Sequence, residues 1–263
     1  MRGVVCYYSG SGNTRLACEH LAARVGIDLD LVDVVDDAKV DLASYDVVGL
    51  AAPTDFGGMP QRFETFIDGL PQQQGKPVFL LNTFGFMSGR TLRDMADLAT
   101  SRGFEVLGGH SLRMPEDYPP MIAIRLGFAG QPTRGGVRAF DTFIDGLAST
   151  LGALQRDEAV ARRPIRIGLL SAASRTRART AAREDMGDKS VDAELCTECG
   201  LCEQRCPYRA ITLSPKPVFD MGACYGCWRC YNQCPQHAIY TARFRGGPYY
   251  PGPSRRTRET LEA

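Results

Sequence analysis

The chain of 263 residues has no apolar run long enough to cross a bilayer as a helix. A span needs about 20 such residues, and the longest runs here, such as Val47 to Pro53, are strand-sized. It shows no signal peptide either: Met1-Arg2-Gly3 leads straight into a short β-like run and then glycines, so a cytoplasmic location is expected. Thiols stay reduced in that compartment, so the ten cysteines read better as metal ligands than as disulfides. Histidine is scarce. Only His20, His110 and His237 exist, and each reads as structural, leaving no obvious acid–base pair. No aromatic residue interleaves with the Arg-rich stretch before the cysteines, which removes the stacking faces that nucleic-acid binding needs.

With 44% hydrophobic residues, the chain has material for one domain of about 150 residues and a smaller companion. The net charge of +1 hides an asymmetry: residues 1–160 hold 14 Lys+Arg against 20 Asp+Glu, and residues 161–263 hold 17 against 10. Arg162, Arg163, Arg166, Arg175, Arg177, Arg179 and Arg183 supply much of the excess. They read first as a solvated linker and second as a docking strip for an acidic partner.

Short apolar runs alternate with amphipathic ones over residues 1 to about 150, the pattern of βαβ units around a parallel sheet. Strands are expected at Gly3–Tyr8, Asp28–Val34, Asp46–Ala51, Pro77–Asn82 and Glu105–Arg113. Helices are expected at Thr14–Arg24, Gln61–Leu70, Arg90–Arg102 and Val137–Leu151, the first with Leu16, His20 and Ala23 on a buried stripe beside Ala17 and Leu21. The fold class is therefore α/β, a doubly wound five-stranded sheet, followed by a small α+β domain. Boundaries are drawn at 1–160, a linker 161–190, the small domain 191–245 and a tail 246–263. Within the linker, Ser171 to Ser190 is too poor in large apolar residues for a core. The tail, broken by Gly246-Gly247-Pro248 and Pro251-Gly252-Pro253, either hangs free or wraps along the surface.

Eight of the ten cysteines fall between residues 196 and 234. Cys196-x-x-Cys199-x-x-Cys202-x-x-x-Cys206-Pro207 recurs 28 residues later as Cys224-x-x-Cys227-x-x-Cys230-x-x-x-Cys234-Pro235, an internal duplication. Three cysteines spaced by two residues wrap one [4Fe–4S] cube, and the fourth, turned away by the following proline, ligates the other cube. That rule assigns Cys196, Cys199, Cys202 and Cys234 to one cluster and Cys224, Cys227, Cys230 and Cys206 to the second. Tetrahedral zinc fits poorly, because its C-x-x-C pairs usually stand a dozen or more residues apart. From Val191 to Thr241 the segment resembles bacterial two-cluster ferredoxins.

The first strand runs into Ser9-Gly10-Ser11-Gly12-Asn13-Thr14 and then a helix, a geometry that aims backbone N–H groups and the helix dipole at an anion. Arg15 stands where a dinucleotide fingerprint needs its third glycine, and no G-K-[ST] follows. Ser9, Ser11 and Thr14 instead add hydroxyls, which suits a terminal phosphate monoester. The third strand empties into Pro53-Thr54-Asp55-Phe56-Gly57-Gly58 and the fourth into Thr83-Phe84-Gly85-Phe86-Met87-Ser88-Gly89, both offering aromatic faces and backbone that can approach a flat ring. Phe63 and Phe66 read as core, and Cys6 and Cys18 as small core residues.

Together these loops resemble the flavodoxin family over residues 1 to about 150. The resemblance implies FMN, with its phosphate at Ser9, Ser11, Gly12, Asn13 and Thr14 and its ring between the other two loops, contacted from Pro53 to Gly57 and by Thr83, Phe84, Gly85, Phe86, Ser88 and Gly89. Met114-Pro115-Glu116-Asp117-Tyr118 is similar to a feature of flavodoxin–ferredoxin fusion proteins, whose order and size the chain shares; Tyr118 is a further candidate for contact. The expectation is an electron-transfer flavoprotein passing electrons between a low-potential redox partner and FMN through two [4Fe–4S] clusters, the partner docking near the basic linker. Two alternatives stand beside it: an FMN-dependent reductase of a small-molecule acceptor, with Asp55 and Asp117 as proton donors, and a non-redox protein that uses clusters as staples. Nothing in the chain fixes the oligomeric state.

Overall fold

The computed structural model describes residues 1–36, 40–160, 164–165, 167–168 and 179–262. Five strands form one parallel sheet in the order β2-β1-β3-β4-β5: β1 (Arg2–Tyr7), β2 (Asp28–Asp33), β3 (Val47–Pro53), β4 (Pro77–Phe84) and β5 (Glu105–Arg113). Parallel strands covered on both faces lose hydrophobic alternation, and β1, β3 and β4 are accordingly buried almost throughout. One face packs under α1 (Asn13–Arg24) and α5 (Arg134–Gln155), through Leu21, Phe140 and Ile144. The other packs under α2 (Gln61–Asp68) and α3 (Thr91–Ser101), through Phe63, Ile67 and Met95.

Several element ends shift by one to four residues, and three differences from the sequence expectation bear on the site. β3 and β4 each run two residues further, because Pro53 pairs with Thr83 and Phe84 with Arg113 in the ladder, which makes Phe84 the last strand residue rather than a loop residue. On α1 the buried row is Leu16, Ala17, Cys18, His20 and Leu21, whereas Ala23 is exposed, since the Cys18–Leu21–Val25 row faces the sheet. The stretch expected to be a bare connector also contains structure. Arg179–Met186 is helical (α6, after the short α4, Pro119–Ala123), with Ala182 and Met186 buried, and Ile165 and Ile167 pack on the sheet's second core. Arg162, Arg163, Arg166, Arg175, Arg177 and residues 171–178 lie outside the described residues, as does the Arg179 side chain. Arg183 is described, and its guanidinium donates to the Met221 and Gly222 carbonyls.

The C-terminal unit is a pseudo-symmetric pair of hairpin-like halves. β6 (Lys189–Val191) pairs antiparallel with β9 (Ile239–Thr241), and β7 (Ile211–Ser214) with β8 (Lys216–Phe219). Short helices α7 (Leu201–Gln204) and α8 (Arg229–Gln233) follow the two cysteine loops. The duplication is visible in the backbone, where Glu198 and Gly226, Gly200 and Trp228, and Arg209 and His237 all take positive φ. The tail wraps back onto the first unit and ends in α9 (Arg255–Glu262), whose Leu261 is buried in the core beside α1 and α5. Among the described residues no helix is long and apolar enough to cross a membrane.

Candidate redox site

The Ser9–Thr14 loop holds its own shape. The Ser9 hydroxyl accepts from the Gly12 and Arg15 amides at 3.1 and 3.2 Å, so this side chain braces the loop from within. Gly12, at φ 97°, turns the chain into α1, a conformation that L side chains rarely adopt. Thr14 and Thr83 hydroxyls meet at 2.8 Å, and Asn13 Nδ2 donates to the Pro115 carbonyl at 2.9 Å. A cavity of about 310 Å³ is lined by Gly10, Ser11, Asn13, Thr14, Pro53 and Thr54, by Thr83 to Gly85, and by Met114 to Asp117.

Beside it lies a larger, half-open cavity that shares Thr54, Gly85, Glu116 and Asp117 with the first. Its walls are Thr54 to Gly57, Gly85 to Met87, Glu116 to Tyr118 and Met121 from one unit, and Gly226, Cys227 and Trp228 from the other. A tight turn, closed by reciprocal Asp55–Gly58 backbone bonds, puts Phe56 at φ 47° and its ring edge-on to Tyr118 at 5.3 Å. Ser88 and Gly89 line neither cavity. They join the two loops instead: the Thr54 hydroxyl donates to the Ser88 carbonyl, and a Cβ on Gly89 would stand 2.2 Å from the Gly57 oxygen. The Arg113 guanidinium covers the Phe84 ring at 5.1 Å.

The eight clustered cysteines surround two further cavities. One is lined by Cys196, Cys199, Cys202, Cys234 and also Cys230. The other is lined by Cys206, Cys224, Cys227 and Cys230. All ten cysteines are free thiols. The Cys206 and Cys234 sulfurs each accept an amide at 3.3 Å, from Ala210 and Ala238, equivalent positions in the two repeats. Four or five cysteines around each of two mostly apolar cavities, with the half-buried cations Lys189 and Arg229 beside them, fit iron–sulfur clusters by donor chemistry. The anion loop, its hydroxyls and the adjoining aromatic cavity fit a flavin phosphate ester.

The Flavodoxin domain family matches residues 4–100, and the 4Fe-4S binding domain family matches twice, at 189–212 and 217–240. The chain is a flavodoxin–ferredoxin fusion. No curated protein matches it. Among solved structures, the fusion is similar to a flavodoxin from the domain Archaea, at 20% identity and TM-score 0.44, over 58% of this chain and 99% of that one. It is also similar to flavodoxin 1 of Bacillus cereus, at 17% and 0.43, over 57% and 98%, and to the Megasphaera elsdenii flavodoxin, at 30% and 0.38, over 42% and 85%. The flavodoxin domain implies FMN and the two repeats imply two [4Fe–4S] clusters, so the fusion is an electron-transfer flavin and iron–sulfur protein.

Electrostatics in the fusion give some residues roles that the sequence reading did not assign. Glu116 Oε2 accepts the Phe86 amide at 3.0 Å, while Oε1 accepts the Asp117 and Tyr118 amides. Burial, reinforced by Asp117, pushes the Glu116 carboxyl up to about 7. Burial raises Asp117 as well, against a hydrogen bond from Ser11. His110 goes the other way, down to about 4, because burial disfavours its cation; it stacks on Phe140 and Phe143. His20 pairs with Asp141 at 2.7 Å, and His237 stacks on Tyr249, so all three histidines serve packing. Asn82, fully buried, ties the Thr54 hydroxyl to β4; an asparagine at a strand end is the only signal that could have found it. Burial raises the Cys227 and Cys230 thiols, and the Lys189 ammonium opposes it in both.

Contacts across the two units are polar and specific. The Tyr225 hydroxyl donates to Asp55, Asn232 Nδ2 to the Asp117 carbonyl and Gln233 Nε2 to the Gly10 carbonyl. Tyr118 bonds Asp185 of α6.

Proposed function

We propose that this fusion carries electrons between a low-potential redox partner and FMN by way of its two clusters. Bound FMN exchanges one or two electrons and each cluster one, so the pair converts between the two modes. The single observation that carries the reading is Cys227: it lines the second cysteine cavity and also the wall of the large cavity between the flavin loops. On this reading Cys196, Cys199, Cys202 and Cys234 hold one cluster, and Cys224, Cys227, Cys230 and Cys206 the other. Ser11, Gly12, Asn13 and Thr14 bind the phosphate, with Ser9 bracing them. Thr54 to Gly57 and Gly85 to Phe86 position the ring, and Trp228 closes water out of the junction. Ser88 and Gly89 act by locking the loops together. Residues 1–160 form the flavin unit and residues 191–245 the cluster unit, with Lys189 and α6 added to the latter by their packing.

The test is rapid anaerobic mixing of oxidised holoprotein with a one-electron reductant that reduces free FMN slowly. Flavin bleaching should follow cluster reduction in the wild type and slow at least tenfold in Cys227→Ala. Equal rates in both would remove the clusters from the path. A second reading, reduction of a small molecule at the flavin, draws on the open rim of the large cavity, where Phe86 and Met87 are exposed. Steady turnover without any protein acceptor would establish it.

A further inference from the structure

The two cysteine cavities differ most at two positions of the duplication. Lys189 lines the second cavity, and its Nζ donates to Cys224 Sγ at 3.1 Å. The residue 28 positions on is Pro217, which lines the first cavity and brings no charge. Arg229 lines both cavities, and its Nε and Nη1 are buried without a hydrogen-bond partner. Its counterpart 28 residues back is Leu201, on the first cavity. Among the described residues no carboxylate pairs with either cation. Unpartnered buried guanidinium N–H groups are costly unless an acceptor stands opposite. The acceptors available to Arg229 are the thiolates and sulfides of the clusters these cavities would hold.

We propose that Lys189 sets the reduction potential of the second cluster above that of the first, with Arg229 favouring the reduced state of both, so that the favoured resting place of a single electron is the cavity beside the flavin. The proposal rests on the two-cluster reading of the cysteines. A four-thiolate cube gains one negative charge on reduction, and nearby positive charge and N–H donors favour the more negative state. Arg229 serves both cavities, and the other cations around the first are weaker in this respect. Lys216 is spent on Glu198 at 3.1 Å and on the Cys196 carbonyl, and Arg205 is exposed, where solvent and salt screen it. Water near exposed Cys199 also favours a reduced first cluster. Lys189, a cation with no paired carboxylate among the described residues and lining the second cavity alone, outweighs that partial solvation, because Coulomb energies grow as the local dielectric falls. The order points inward: Cys199 faces solvent at the entry side and Cys227 faces the flavin.

The experiment is a redox titration of anaerobically prepared full-length protein, followed by electron paramagnetic resonance, with iron and sulfide measured on every sample. About eight irons per chain establish the two clusters; fewer than about six in the wild type would sink the cluster reading itself, before any potential is compared. With both clusters present, two waves are expected below the flavin's. Lys189→Met should move the upper wave down and leave the lower one in place, whereas Arg229→Leu should move both waves down. Lys189→Arg and Arg229→Lys should keep the wild-type order. An upper wave that stays put in Lys189→Met overturns the proposal, and so does a shift confined to the lower wave. If that variant loses a cluster, wild-type protein decides. The first electron taken up beyond the flavin should broaden the cysteine β-proton resonances of Cys206, Cys224, Cys227 and Cys230. Broadening at Cys196, Cys199, Cys202 and Cys234 instead refutes it.

Discussion

Tyr225 and Asp55, 170 residues apart, meet through a hydroxyl–carboxylate hydrogen bond of 2.5 Å. The bond fastens the second cysteine loop to the turn that presents Phe56, and the Tyr225 ring is backed by Tyr208, stacked at 4.6 Å. Hydrogen bonds to charged groups contribute about 1.5–3 kcal/mol when buried, and the half-buried setting here lowers that to about 1 kcal/mol. Tyr225→Phe keeps the ring that stacks on Tyr208 and removes the hydroxyl that bonds Asp55. It should lower the melting temperature by about 2–4 °C and speed amide exchange at residues 54–58 and 224–228 together. Faster exchange at one segment alone would mean that the bond does not couple them.

Crossed ligation makes a prediction about pairs of distant cysteines. Cys206 stands with Cys224, Cys227 and Cys230 around one cavity, and Cys234 with Cys196, Cys199 and Cys202 around the other. Cys206→Ser should therefore perturb the same resonance signal as Cys224→Ser, although its sequence neighbours belong to the first triplet. Cys234→Ser should match Cys196→Ser. Mössbauer or paramagnetic resonance spectra of the four variants check the pairing, and a match by triplet instead of by cavity would overturn it.

Glu116 makes stability depend on pH. Its carboxyl is raised to about 7 in the folded chain, against an unfolded value of about 4.3. Between those values the native state keeps a proton that the unfolded chain gives up, so stability falls as pH rises through that window and levels off above it. Asp117, also raised, adds in the same direction. Glu116→Gln should lower the melting temperature at pH 5, where an acceptor of amide bonds is lost, and shrink the pH 5 to pH 8 difference by the equivalent of about 1–3 kcal/mol. Melting curves of FMN-depleted protein at the two pH values measure this. An unchanged difference would place the titration elsewhere.

How much of this was legible beforehand depended on whether the signal was local. The 28-residue duplication, the Cys-Pro closures and the glycine-rich first loop are strings whose chemistry is written in their spacing, and the strands of the sheet follow from short apolar runs. Relationships across the chain were not legible. Nothing local to Tyr225, Trp228 or Asn232 says that they form a wall or a clamp on the flavin loops, and Lys189 sits in a segment whose composition reads as solvated. The Ala182 and Met186 side chains become core only because the cluster unit supplies a surface for them. Ser9 was legible as a loop hydroxyl, but its use as a brace depends on backbone geometry that composition does not carry.

The tail supplies the last prediction. Its Pro-Gly-Pro segment reads from sequence as either free or wrapping, and it wraps. The Tyr250 hydroxyl donates to Asn13 Oδ1 at 2.6 Å, and the Tyr250 amide donates to Asn232 Oδ1 at 3.1 Å. A Cβ on Gly12 would meet the Pro253 ring at 3.2 Å, and one on Gly252 the Ser11 carbonyl at 3.2 Å. α9 then anchors the strap by burying Thr257 and Leu261. Asn13 is thus held from two sides, by Pro115 through its amide nitrogen and by Tyr250 through its oxygen, which orients the loop before a phosphate arrives. Pre-organisation of this kind lowers the ordering cost of binding. Tyr250→Phe, losing one hydrogen bond of about 1 kcal/mol, should weaken FMN binding about fivefold by equilibrium fluorescence titration. Removing residues 247–263 should weaken it by more, about tenfold or beyond, while iron content stays at the wild-type value. If the truncated chain binds FMN as tightly as the whole one, the strap plays no part in the flavin site; if it loses iron as well, the tail supports the cluster unit rather than the phosphate loop.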